Sequence, residues 1–212
     1  MVKYETKALY GGAITSTLPQ GLLDASDLRQ VPDTQEVFLN PSENTSNYEE
    51  LVKDDSIIFD LMEALETKNA VDALKEHFAE ISTLNDNESN WKLLNVQEFQ
   101  LDVSGPESAV LGFGLEPALK WGRSEEPTGE NHLKPTLVLV LGLVRLSKVK
   151  TDVLITYNIL FNKDEELQSL LELDKSGSIN TANKAIDRIN LGLAVVKTAI
   201  NDFKVESWDL FG

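Results

Sequence analysis

The sequence has no cysteine. Disulfides and thiolate metal sites are therefore excluded, in keeping with a reducing compartment. It has only two histidines, His77 and His132, far apart in the chain. His77 falls near an apolar helical stripe and reads as a packing residue, whereas His132 reads as solvated. No Gly-x-Ser-x-Gly, Walker loop or His-Glu-x-x-His occurs, so signals for catalysis are poor. No apolar run reaches the 18 residues of a membrane-spanning helix. The opening Met1–Ala8 has no apolar signal-peptide core, and a soluble intracellular protein is expected. Positive charge is also scarce, with 19 basic residues against 35 acidic ones and a net charge of −16. Nucleic acid and acidic membrane surfaces are disfavoured for want of a basic face. A basic protein partner is favoured, because opposite potentials steer encounter. On composition alone, solubility remains the more economical account of the charge.

What is present fits one domain spanning 1–212: 212 residues, 42% of them apolar, enough to bury a core. Residues 8–18 read as one or two short strands with Gly11-Gly12 as a bulge or bend, and Val37–Leu39 as another strand. The polar, acidic stretch 40–55 is expected to be a mobile loop. Ser56–Leu65 fits a helical face or a strand, and Ile57-Ile58-Phe59 tips it towards strand. Asn69–Leu84 reads as a helix through Val71, Leu74, Phe78 and Ile81. Alternation at Phe99, Leu101 and Val103 and the run Ala109–Leu119 suggest strands, and Glu125–Gly129 a loop. Leu137–Leu146 and Val153–Phe161, apolar and β-branched, read as a central antiparallel hairpin. A short helix over Glu165–Leu173 precedes a long one over Thr181–Phe203. The long helix carries the stripe Ile186, Ile189, Leu193, Val196, Ile200 and Phe203. Gly192 within it implies close packing, and Val205–Phe211 reads as an edge strand. Strands followed by helices, without βαβ alternation, indicate an α+β fold on an antiparallel sheet.

Gly112-Phe113-Gly114 resembles the start of a dinucleotide fingerprint but lacks the third glycine and a following helix, so no cofactor is expected. Asp54-Asp55 and Asn85-Asp86-Asn87-Glu88 lack the central glycine of a calcium loop, so no metal is expected.

The most informative stretch is Leu9–Leu39. It carries a Pro19-Gln20-Gly21 turn and then Asp24, Asp27, Arg29, Pro32, Asp33 and Glu36, a charge about every third residue without helical periodicity. Turn chemistry explains the prolines and Gly21 but not the charges; a solvated loop is the ordinary reading of such a segment. The pattern Tyr10-Gly11-Gly12-Ala13-Ile14, Pro-x-Gly, then Asp24-x-Ser26-x-Leu28-Arg29-x-Val31-Pro32-Asp33-x-Gln35-Glu36-Val37 resembles the opening of the Mog family. Those proteins are Ran-binding guanine-nucleotide release factors of nuclear transport. The likeness continues at Ser56-Ile57-Ile58-Phe59-Asp60-Leu61-Met62-Glu63, Lys120-Trp121-Gly122, Arg145-Leu146, Thr151-Asp152-Val153 and Leu210-Phe211.

The resemblance implies a fold like that of the photosystem protein PsbP, with helices on both faces of an antiparallel sheet of about six strands. It implies a monomer, nuclear and in part cytoplasmic, that binds Ran in its GTP-bound or nucleotide-free form and promotes GTP release without covalent chemistry. Asp60 and Glu63 match the family's acidic pair on the Ran-binding surface. Asp33 and Glu36 match its Pro-Asp-x-x-Glu, and Asp24 and Arg29 its Asp-x-x-x-x-Arg. Asx turns and an Arg–carboxylate contact would explain part of these residues' role structurally. Trp121 is more readily a packing residue than an interface anchor. The alternatives are a PsbP-like adaptor without release activity and a hydrolase using paired carboxylates.

Overall fold

The computed structural model describes residues 2–41, 51–67, 69–88, 90–99, 108–118, 133–176 and 184–212. The expectations for 42–50, Leu101, Val103, Leu119, Trp121, Glu125–Gly129, His132 and the start of the last helix at Thr181 lie outside them.

The centre is the expected hairpin. Strands β8 (Thr136–Leu146) and β9 (Thr151–Phe161) pair without a register break, Thr136 opposite Phe161 and Leu146 opposite Thr151. Its run is continuously apolar because both faces are covered. Leu137, Leu139, Leu141 and Leu143 join a core with helix α1 (Ala70–Leu84). Val138, Val140 and Val144 point the other way, into the core with α2 (Asp164–Ser176) and α3 (Lys184–Asn201). Outward from the hairpin run β7 (Ser108–Pro117) and β6 (Lys92–Phe99) on one side. On the other lie β5 (Ser56–Glu63), β4 (Gln35–Leu39) and the two-residue β3 (Leu23–Asp24). The order β3-β4-β5-β9-β8-β7-β6 gives seven antiparallel strands, against about six expected. The extra one is the short β3, whose Asp24 reads in sequence as loop.

A second sheet, β1-β2-β10, is formed by β1 (Tyr4–Leu9), β2 (Ile14–Pro19) and β10 (Lys204–Val205), with β2 against α3. Its first strand starts earlier than residue 8. Tyr4-Glu5-Thr6-Lys7 is only partly buried and carries no apolar alternation to announce it. Gly11 and Gly12 form the connecting turn rather than a bulge, at φ of +66° and +92° where a side chain is strained. The expected edge strand over Val205–Phe211 is mostly absent. Only Lys204–Val205 pairs, and Ser207 accepts from the Asp209 N–H at 3.3 Å to start a 3-10 turn over Trp208–Phe211.

The stripe is buried as expected except for Leu193, which is half-buried; Phe203, also buried, lies just past the end of α3. Burying each such side chain contributes about 1.5–3 kcal/mol. A Cβ on Gly192 would meet Ile159, Tyr157 and Val140 at 3.1 Å, so the close packing expected there is present. Gly112 and Gly114 have the same explanation. Their missing side chains admit Leu74 and Phe78 of α1 and the backbone of β6.

The acidic stretch 40–55 is corrected at its described end. Leu51, Val52 and Asp55 are buried. Asp55 closes a turn by accepting the Val52 N–H at 2.9 Å, and its carbonyl accepts the Asn40 N–H at 3.1 Å. Leu51 and Val52 supply the apolar surface that docks this segment. Asp55 also meets the Arg188 guanidinium of α3 at 2.9 Å and the Tyr157 hydroxyl at 2.8 Å. Arg188 further reaches Glu166 of α2 at 3.4 Å and lies over the Phe161 ring. Burial raises the Asp55 carboxyl despite Arg188 and its other donors.

Candidate functional site

Four of the six matched residues gather at one end of the β4–β5 pair. The Pro32 carbonyl accepts from Gln35 N–H at 2.9 Å, closing a turn that carries Asp33 and Thr34. The Thr34 carbonyl accepts the Leu61 N–H at 2.9 Å and the Tyr10 hydroxyl at 3.1 Å. Glu36 accepts the Tyr10 N–H at 2.5 Å. Tyr10 sits at a φ of +50°, a conformation uncommon for an aromatic residue, so Glu36 and Thr34 fasten a strained corner. Burial, with Asp60 and Glu36 nearby, pushes the Tyr10 phenol well above its ordinary range.

Asp60 stands opposite Gln35 in the ladder, and its Oδ2 accepts the Gln35 side-chain N–H at 2.7 Å. Among the described residues its Oδ1 is buried without a hydrogen-bond partner. Burial raises the Asp60 carboxyl, with Gln35, Thr34 and the charge of His77 opposing the rise. Glu63, at the strand end opposite Thr151, is exposed. Strand alternation sends the two carboxylates to opposite faces. Ile57, Phe59 and Leu61 face the α3 core on the side of Glu63, whereas Ile58, Asp60 and Met62 line a groove beside α1.

The groove lies beside α1, which packs chiefly on β7, β8 and β6 and reaches β9 through the His77–Asp152 contact. The same face of β9, β5 and β4 is left as a trough of about 770 Å³ between Asp60 and the α1 residues His77, Glu80, Ile81 and Leu84.

Below the groove lies a polar network that residue chemistry alone did not identify. Asp152, fully buried on β9, accepts Arg145 Nε at 2.9 Å, His77 Nε2 at 3.0 Å and the Leu65 N–H at 3.2 Å. Arg145 also donates to the carbonyls of Leu65 at 2.5 Å and Thr67 at 2.7 Å. Burial alone would raise the Asp152 carboxyl. The bonds from His77, Leu65 and Arg145 outweigh it and hold the group below its usual value. The network secures the link from β5 to α1, and so holds both walls of the groove. His77 is buried as expected, but it bonds as well as packs. The available signal was the matched pair Arg145-Leu146 and Thr151-Asp152-Val153, since Arg145 and Asp152 face each other in the register.

Asp24 and Arg29 lie apart from this corner. Asp24 pairs opposite Phe38, three residues along β4 from Gln35, or about 10 Å. Its carboxylate accepts the Ser26 N–H at 2.8 Å, the Asx turn expected. Arg29 is exposed, and among the described residues no ion pair joins it to Asp24, so the expected Arg–carboxylate contact is not formed.

Comparison with known proteins follows the same landmarks. The family model described as Ran-interacting Mog1 protein matches residues 7–160. The nuclear import protein MOG1 of Saccharomyces cerevisiae is 36% identical over 162 residues, 76% of this chain and 68% of the relative. The Ran guanine nucleotide release factor of Homo sapiens is 30% identical over 150 residues, 71% of this chain and 73% of that one. The crystal structure of the Saccharomyces cerevisiae Ran-binding protein Mog1p superposes with a TM-score of 0.76 at 28% identity, covering all of both chains. The match across more than half the sequence, with the acidic corner inside it, makes the chain a member of the Mog1 family of Ran-interacting proteins.

Proposed function

We propose that this protein binds the small GTPase Ran and promotes release of its guanine nucleotide, and thereby regulates nucleocytoplasmic protein transport. The observation that carries the reading is the gathering of Asp33, Glu36, Asp60 and Glu63 at one end of β4–β5, within the family match. It acts by binding, as a monomer, in the nucleus and partly in the cytoplasm. A factor that grips the emptied GTPase more tightly than the filled one weakens nucleotide binding by the same factor, because linkage is reciprocal. A small GTPase holds its nucleotide with a phosphate-loop lysine and Mg²⁺. Carboxylates presented to basic groups around that site, or to the Mg²⁺, compete for the same interactions. Asp60 and Glu63 are assigned that contact. Asp33, Asp24 and Arg29 shape the docking surface, and Glu36 contributes by holding Tyr10.

The test is release of a fluorescent guanine nucleotide from purified Ran, with binding measured to its GTP, GDP and empty forms. The wild-type chain accelerates release, and the variant combining Asp60→Lys and Glu63→Lys, shown by circular dichroism to be folded, does not. Unchanged release by that folded variant removes the acidic pair from the mechanism. Binding without accelerated release identifies an adaptor instead.

A further inference from the structure

We infer that a monovalent alkali cation, sodium or potassium, binds at the C-terminal end of α1, held by Ser82, Asn87 and Glu116. Register brings these residues together. Leu74 and Phe78 of α1 fill the space that side chains on Gly112 and Gly114 of β7 would take. Four helix residues rise about 6 Å and two strand residues span about 6.7 Å, so helix and strand stay in step. The next step along both sets Ser82 against Glu116, whose cross-strand neighbour Leu137 also faces α1. The turn after the helix adds Asn87. Its backbone N–H donates to the Ser82 carbonyl at 2.8 Å, and its side-chain amide donates to the Pro117 carbonyl at 2.8 Å. The Asn85 amide donates to Glu116 Oε1 at 2.7 Å. Ser82, Asn87 and Glu116 are 0%, 1% and 2% exposed, yet Ser82 Oγ, Asn87 Oδ1 and Glu116 Oε2 each lack a hydrogen-bond partner among the described residues. Turning the Asn87 amide brings no relief, because the Pro117 carbonyl requires its N–H.

Charge decides the occupant. Among the described residues no ion pair reaches Glu116, and a buried carboxylate without a counter-charge is costly. Lys92 pairs opposite Leu115 and so shares its face, towards the α2 and α3 core, whereas Glu116 faces α1. The helix end deepens the negative potential. A helix C-terminus carries about −0.5 charge, and the last turn of α1 has no basic residue to meet it. A water molecule satisfies the three oxygens but leaves the charge, and a cation does both. One carboxylate among neutral oxygens suits a single positive charge, since calcium sites recruit several carboxylates. Among the described residues no three His, Cys, Asp or Glu side chains gather for a metal, which disfavours a divalent ion. Glu116, Asn90 and Trp91 also line a cavity of about 370 Å³, a route from solvent. The site is not the calcium loop that Asn85-Asp86-Asn87-Glu88 fails to make, because its oxygens come from α1, the turn after it and β7.

The experiment uses the full chain, freed of alkali ions in tetramethylammonium chloride. Urea unfolding is followed there and with sodium, potassium or calcium chloride substituted at equal ionic strength. Expected is a higher midpoint in sodium or potassium chloride, rising with the ion's concentration. Two variants should fold and lose that dependence. Ser82→Ala removes one oxygen and favours the helix, and Glu116→Gln removes the charge and keeps the shape. Crystals soaked in thallium(I) acetate should show an anomalous peak between Ser82, Asn87 and Glu116. Equal midpoints in all the monovalent salts overturn the inference and leave water alone at the site, and so does the absence of a thallium peak there. An ion dependence that persists in both variants overturns it by placing the ion elsewhere. Stabilisation by calcium alone overturns the single charge.

Discussion

Asp60 and Glu63, three residues apart on one strand, project from opposite faces of the same sheet. The strand between them has no register break, so alternation leaves no other arrangement. A partner that touches both must reach around the end of β5, or meet one through the groove and the other at the strand's tip. Their contributions should then be nearly independent. Asp60→Asn and Glu63→Gln are each expected to weaken Ran binding by about 1–2 kcal/mol. Titration calorimetry on the four proteins of the double-mutant cycle should give a coupling below about 0.5 kcal/mol. A larger coupling means that one partner group bridges both carboxylates.

Acidity should govern the Asp60 contact. Its carboxyl is raised above 3.8 by burial. Raised in the folded chain, it costs stability as pH climbs through that higher value, and a cation alongside it offsets the cost. Ran affinity should therefore increase with pH across the window above 3.8 in which Asp60 ionises. A ¹³C titration of the Asp60 carboxyl, with and without Ran, checks this. The carboxyl should titrate at lower pH in the complex, and an unchanged value would sink the contact.

Arg188 is the most consequential buried charge outside the site. Arg188→Met leaves Asp55 and Glu166 buried without their cation. The expected loss is about 3–5 kcal/mol in urea unfolding. Adding Asp55→Asn should recover part of it, because the carboxylate then no longer demands a partner. Ran binding per folded molecule should change little, since Asp55 faces α3 and not the groove.

Asp152 should set part of the acid sensitivity. Its carboxyl is lowered in the folded chain, so its stabilisation is complete above the unfolded value near 3.8 and fades as pH falls through the lower folded value. At neutral pH Asp152→Asn should cost about 3 kcal/mol or more, because it strips Arg145 and His77 of their anion. Denaturant midpoints of wild type and variant should converge as pH drops below 3.8. A gap that stays constant with pH would assign the loss to shape and not to charge.

The layered fold was legible where hydrophobic spacing reports burial directly. Leu137–Leu146 is apolar at every position but Gly142 and Arg145, which requires cover on both faces, and Ile186 to Ile200 carries the face that supplies one cover. Tyr4–Leu9 was not legible as a strand, because its sheet is half-solvated and its alternation is between kinds of polar residue. Arg188 and Asp55 were hidden for a different reason. They are 133 residues apart, and a charge inside a helix looks the same whether it meets solvent or a buried carboxylate. At the site, the identity of Asp60 and Glu63 came from the Mog pattern, and their opposed directions followed once Ser56–Glu63 was a strand. The groove could not be read at all. It depends on α1 leaving β5 and β4 largely uncovered, a matter of how far one helix spreads across a sheet.

The long β8–β9 hairpin has a consequence for how the molecule opens. Each of its strands is eleven residues long, flanked by sheet on both sides and capped by side chains above and below. No partial fraying exposes the amides of Val138–Val144, so they should exchange with deuterium only when the whole molecule opens. The Pro32–Gln35 turn, held by few bonds, should exchange far sooner. Mass spectrometry of exchange would thus show a slow, invariant clock at the centre and a fast one at the acidic corner, and only the fast one should slow when Ran is added.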